Sequence, residues 1–80
     1  MRLDKFLKVS RLIKRRTVAN EACDAGKVLV NQKAARASYE VKIGDEIQIA
    51  LGKSPLAVRV VKIAETAGKD GASQLYEVVG

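Results

Sequence analysis

The sequence predicts a small α+β domain, with two N-terminal helices packed on a mostly antiparallel sheet. Three observations carry that reading. Apolar residues keep a helical spacing as far as Ala25, they alternate with a period of two from Val28 onward, and the two regimes meet at Gly26. Runs of helix followed by runs of strand imply segregated α+β packing, not alternating βαβ units. Eighty residues make one domain, with no room for a second core.

Helix one is read from about Leu3 to Leu12. Leu3, Phe6, Leu7 and Ser10 fall at i, i+3, i+4 and i+7 and share one face, while Arg2, Lys5, Lys8 and Arg11 occupy the opposite side. After Lys14-Arg15-Arg16, Thr17 is expected to cap helix two, which runs from Val18 to Ala25. Ala19, Ala22 and Cys23 give this helix a face of small residues for close approach to helix one. Gly26 is expected to end it in the left-handed conformation that glycine adopts without steric cost.

Val28 and Val30 then form a short half-buried strand that turns at Asn31-Gln32, with Lys33 to Arg36 as the return strand. Gln32 stands where glycine is commoner, which leaves the turn type open. Val41 and Ile43 lead into a turn at Gly44-Asp45. Ile47, Ile49 and Leu51, alternating with Glu46, Gln48 and Ala50, make the clearest strand in the chain. Gly52 to Pro55 is a loop, Leu56 to Ala64 a β-branched strand, Ala67 to Ser73 a flexible connector, and Gln74 to Val79 a last strand.

The net charge of +6 is concentrated at one end. Arg2, Lys5, Lys8, Arg11, Lys14, Arg15 and Arg16 stand with a single acid, Asp4, in the first sixteen residues, whereas the rest of the chain carries eight bases and eight acids. A patch of this kind fits a polyanion, and the free amides expected at the start of helix two, beside Thr17, add to it. Other chemistry is poorly supported. With no histidine and one cysteine there is no metal set, no internal disulfide and no nucleophile–base pair, so neither cofactor nor catalysis is expected. Cys23 reads as a small core residue. No apolar run spans a membrane and no signal-peptide pattern opens the chain, so the expected compartment is the reducing cytoplasm. Three aromatic residues, Phe6, Tyr39 and Tyr76, are too few and scattered for a base-stacking platform.

Several spaced signals fall together: Arg2-Leu3-Asp4-Lys5-Phe6-Leu7, Ser10-Arg11, Arg16-Thr17 with Ala19, Gly26 through Asn31, then Ser38, Val41-Lys42 and Gly44-Asp45 before an alternating strand. This pattern resembles the S-four RNA-binding domain, the αL-type fold named after a small-subunit ribosomal protein, over about residues 1–51, with 52–80 as a β extension of the same domain. The stand-alone length resembles members of the RqcP and heat-shock-protein-fifteen types. A long basic C-terminal extension, found in the second type, is lacking here.

The resemblance implies a monomeric, non-catalytic protein. It would bind rRNA and peptidyl-tRNA on the large ribosomal subunit after a stalled ribosome has split, and assist RqcH in alanine tailing. The same resemblance assigns RNA contact to Arg2, Lys5, Arg11, Lys14, Arg16 and Thr17, with Lys27 and Asn31 beside them and Lys8 and Arg15 less distinctive. Asp4 takes a supporting role, orienting Arg2 or Arg16. Four rivals stand beside it: a general assembly or recycling factor, a protein-interaction module built on the sheet, a helix-turn-helix DNA binder and an enzyme fragment. Helix two is poor in base-reading side chains, with Asn20 the main candidate. Arg59 and Lys62 are not assigned to either RNA or protein.

Overall fold

The computed structural model describes residues 1–50, 55–66, 68–72 and 74–79. Helix α1 spans Leu3–Val9 and stops short of the expected Leu12. Arg11 turns the chain by entering the left-handed region at φ 62°, its amide bonding the Lys8 carbonyl at 3.1 Å. The amide of Ile13 returns to the Leu7 carbonyl at 3.1 Å, and the Ile13 side chain is buried. A left-handed arginine costs about 1–2 kcal/mol, and burying an isoleucine contributes about 1.5–3 kcal/mol. Core packing therefore overrides the helical continuation.

Helix α2 spans Arg16–Asp24, so Thr17 lies inside its first turn and is not the N-cap. Arg15 holds the cap position with extended backbone, its carbonyl accepting from the Ala19 amide at 3.0 Å, and no side chain caps the end. The start is displaced because Arg16 is drawn against Asp4 of α1, and the first helical position is where its guanidinium reaches that carboxylate. At the other end Gly26 takes φ 78° as expected. Its amide bonds the Cys23 carbonyl at 3.0 Å and that of Lys27 the Ala22 carbonyl at 2.9 Å, the paired bonds of a Schellman motif. A Cβ at Gly26 would meet nothing within 4 Å, so Gly26→Ala tests conformation alone. Urea unfolding should show a loss of about 1 kcal/mol.

Five strands form one antiparallel sheet in the order β2-β1-β3-β4-β5. They are β1 (Val28–Val30), β2 (Lys33–Ala34), β3 (Glu46–Ile49), β4 (Leu56–Val60) and β5 (Tyr76–Val78). Asn31 and Gln32 are both left-handed, at φ 52° and 71°, which makes the β1–β2 connection a type I′ turn without glycine. The strand after it ends at Ala34, not Arg36, because Ala35 and Ala37 turn inward to the core. Val41 and Ile43 form no strand. The neighbouring backbone instead clamps the N-terminus: the amides of Leu3 and Asp4 bond the carbonyls of Tyr39 and Ala37 at 2.7 and 3.2 Å, and the Val41 amide bonds that of Met1 at 2.9 Å.

Strand β4 ends at Val60, short of the expected Ala64, because the amides of both Val61 and Lys62 converge on the single carbonyl of Leu75, which a continuing ladder does not allow. Where a flexible connector was expected, a short helix α3 spans Lys69–Ala72. Ala72 and Leu75 bury their side chains there, and that burial is what orders the segment. The expected strand residue Leu51, the loop residues Gly52, Lys53 and Ser54, and Ala67 and Ser73 lie outside the described residues.

The register places Val28, Val30, Ile47, Ile49, Val58 and Val60 on one face of the sheet, all buried. They close a core with Leu3, Phe6 and Leu7 of α1 and Ala19, Ala22 and Cys23 of α2. On the other face Arg59, left unassigned by the sequence, bonds Glu77 at 2.8 Å and its cross-strand neighbour Glu46 at 3.3 Å. The cationic helices and this charge ladder thus occupy opposite sides of the protein.

Candidate nucleic-acid interface

The anchor of the cationic face is an acid. Asp4 belongs to the first turn of α1, and its side chain is only 3% exposed. Its Oδ1 accepts from Arg2 Nε at 3.2 Å, from Arg16 Nη2 at 3.4 Å and from the Lys5 amide at 2.8 Å. Its Oδ2 accepts from Asn20 Nδ2 at 3.2 Å and Arg2 Nη2 at 3.4 Å. Burial by itself would raise the carboxyl, but hydrogen bonds from Asn20, Arg16 and Arg2 outweigh it and hold Asp4 below its ordinary value. Two guanidiniums from different elements are thereby fixed about one carboxylate, each still about half exposed. Asp4 thus contacts both of the arginines it was expected to orient.

Arg16, Thr17 and Asn20 stand along one side of α2 and, with Asp4 and Glu21, line a cleft of about 360 Å³. The first turn of α2 contains no acid, so its unbonded amides and positive dipole end add to the arginines. Lys8, Arg11 and Lys14 converge on a second depression of about 320 Å³. The left-handed Arg11 makes that convergence possible by folding the chain back after α1. Lys5 is tied to Glu65, which arrives from a position 60 residues later and is itself held below its ordinary value by that hydrogen bond. Arg15 is exposed at the start of α2.

Two expected positions stand apart from this group. Lys27 follows the far end of α2, a helix of nine residues and so about 13 Å long. Asn31 is occupied in the hairpin: its Nδ2 donates to Asp45 at 3.1 Å, and its Oδ1 accepts from the Glu46 amide at 3.0 Å. Asp45 also accepts from Tyr39 Oη at 2.9 Å and the Lys42 amide at 2.9 Å, and that carboxylate raises the Tyr39 phenol. Asn31 is in this way a structural tie between β1 and β3.

The sequence reading missed Asn20 as a partner of Asp4 and Glu65 as a partner of Lys5. Neither pair had a signal in the sequence, because each joins residues that only the fold brings together. Burial, followed by Asp4 and Asp24, pushes the Cys23 thiol up to about 11, so it is protonated and inert within the core. Among the described residues no cluster suits a metal ion, and no helix is long and apolar enough to cross a membrane.

Comparison with known proteins places this geometry. The S4 domain family model matches residues 1–47. The chain is 54% identical over 78 residues to the RQC P-site tRNA stabilizing factor of Halalkalibacterium halodurans, covering 98% of this chain and 89% of that protein. The factor of the same name from Bacillus subtilis is 47% identical over 79 residues, covering 99% and 92%. Among solved structures, the trimeric Vibrio cholerae Heat Shock Protein 15 superposes with a TM-score of 0.93 at 34% identity, covering 99% of this chain and 81% of that one. On its first 47 residues and on its near full-length identity, the chain belongs to the S4 domain family and, within it, to the RQC P-site tRNA stabilizing factors.

Proposed function

We propose that the chain is a non-catalytic RNA-binding factor that holds P-site tRNA and large-subunit rRNA together on stalled ribosomes in the cytoplasm, in support of alanine tailing by RqcH. The observation that carries this reading is the Asp4 hub, which presents Arg2 and Arg16 as a preorganised pair beside the uncapped end of α2. Structured RNA is recognised through backbone and shape, and a rigid array of cations suits that task better than flexible lysines. Lys5, Lys8, Arg11, Lys14, Arg15 and Thr17 extend the face along both helices. Lys27 is proposed as a peripheral contact, and Asn31 as a residue that supports the hairpin next to the RNA. The acidic ladder around Arg59 gives the opposite face a different character and leaves it open to a protein such as RqcH.

Sedimentation of the tagged protein from lysate, wild type beside Arg2→Gln/Arg16→Gln, tests the reading. Comigration with large subunits and tRNA, abolished in the double variant, is the expected result. Wild-type protein confined to the top of the gradient would overturn it. A smaller effect follows from the Lys5–Glu65 pair. Glu65 competes with phosphate for Lys5, so Glu65→Gln should tighten RNA binding about two- to threefold at low salt and steepen the salt dependence by about one phosphate. Titrations of labelled RNA across salt concentrations read both quantities.

A further inference from the structure

The cleft beside Arg16 is not built for phosphate alone. Its walls carry one cation, Arg16, together with Thr17, Asn20, Glu21 and the edge of Asp4. Asp4 is saturated by its own donors, and the Glu21 carboxylate has no ion-pair or hydrogen-bond partner among the described residues. A site for phosphate only would be lined by donors, whereas acceptors at this density repel it.

Asn20 sharpens the point, because its orientation follows from chemistry. A carboxylate below its ordinary pKa only accepts, so the arm of Asn20 facing Asp4 at 3.2 Å is the NH₂ group. The carbonyl Oδ1 is left without a protein donor among the described residues, on a half-buried side chain that lines the cleft. A cation next to an unpaired acceptor matches a phosphate next to a hydroxyl. In RNA that hydroxyl is the ribose 2′-OH, which DNA lacks. No lining residue is aromatic, so the cleft offers nothing for a base to stack on and favours the sugar-phosphate.

We infer that this cleft receives one ribonucleotide, Arg16 bonding its phosphate and Asn20 Oδ1 accepting from its 2′-hydroxyl. Asn20 is then a determinant of specificity for RNA, whereas Arg2 and Arg16 supply affinity. The assignment rests on the reading of this face as RNA-binding.

The test compares a labelled tRNA-derived RNA hairpin with the same hairpin carrying 2′-fluoro ribose throughout. That analogue keeps the A-form and the charge but has no 2′-hydroxyl to donate. Wild type should bind the RNA about five- to tenfold more tightly than the analogue, the value of one hydrogen bond. In Asn20→Ala the ratio should fall below about two. Arg16→Gln should weaken both ligands and leave the ratio unchanged. Equal affinity of wild type for the two hairpins overturns the inference without requiring any variant, as does a preference that survives in Asn20→Ala. Failure to bind either hairpin would overturn the RNA reading itself, a result distinct from equal binding.

Discussion

Arg2→Gln/Arg16→Gln should lose about 100-fold in affinity for large-subunit RNA at moderate salt, two charge-assisted contacts each contributing about 1.5 kcal/mol. Glutamine is chosen because its amide still offers Asp4 a donor, so the carboxylate is not stranded and the fold is spared. The magnitude of the log–log salt slope should fall by about 1.4–1.8, the share of two phosphates between single-strand and duplex coefficients. Loss of affinity with an unchanged slope would mean that the arginines act through structure and do not touch phosphate. Filter binding or anisotropy across a salt series separates the two cases.

Asp4→Asn should be the most damaging single change on this face, and it should act in two ways. The buried carboxylate accepts from Arg2, Arg16, Asn20 and the Lys5 amide, and the substituted amide turns an NH₂ toward some of those donors. A loss of about 2 kcal/mol is expected, discounted because both arginines can reach solvent, which corresponds to a drop of about 8–16 °C in Tm for a domain of this size. RNA affinity should also fall about five- to tenfold as the guanidiniums lose their common anchor, each positioned contact being a hydrogen bond of about 1 kcal/mol. Simple electrostatics predicts the opposite, since the variant is more positive. An affinity gain in Asp4→Asn would therefore refute the positioning role.

The pH dependence has a definite sign. The folded carboxyl lies below its ordinary value of 3.8, so the stabilisation is fully present above that value and is lost as pH falls through the lower folded pKa. Wild-type stability should thus decline in acid below about pH 4, and the component due to Asp4 should be missing from Asp4→Asn. Chemical denaturation at pH 3 and pH 6 on both proteins reads it directly. An equal decline in the two would remove Asp4 as its source.

Much of this protein was legible in the residues themselves because the controlling effects are local. The i, i+3, i+4 spacing of Leu3, Phe6 and Leu7 and the need for glycine at the end of α2 each involve neighbours in sequence. The alternation of Ile47 and Ile49 and the confinement of net charge to the first sixteen residues are also visible in the chain as written. Those features determined the α+β class, the buried faces and the end of the molecule that carries the cations. Only the tertiary structure decided how the cations are arranged. It draws Arg16 into α2 ahead of Thr17, folds the chain at Arg11 to bury Ile13, orders Lys69–Ala72 through Leu75, and brings Glu65 onto Lys5. Each of these outcomes depends on a burial or an ion pair between residues distant in sequence, and such terms, at one or two kcal/mol apiece, are as large as the local preferences they override. The Asp4 hub joins both kinds of information: the first sixteen residues show one acid among seven bases, and the fold shows why it is there.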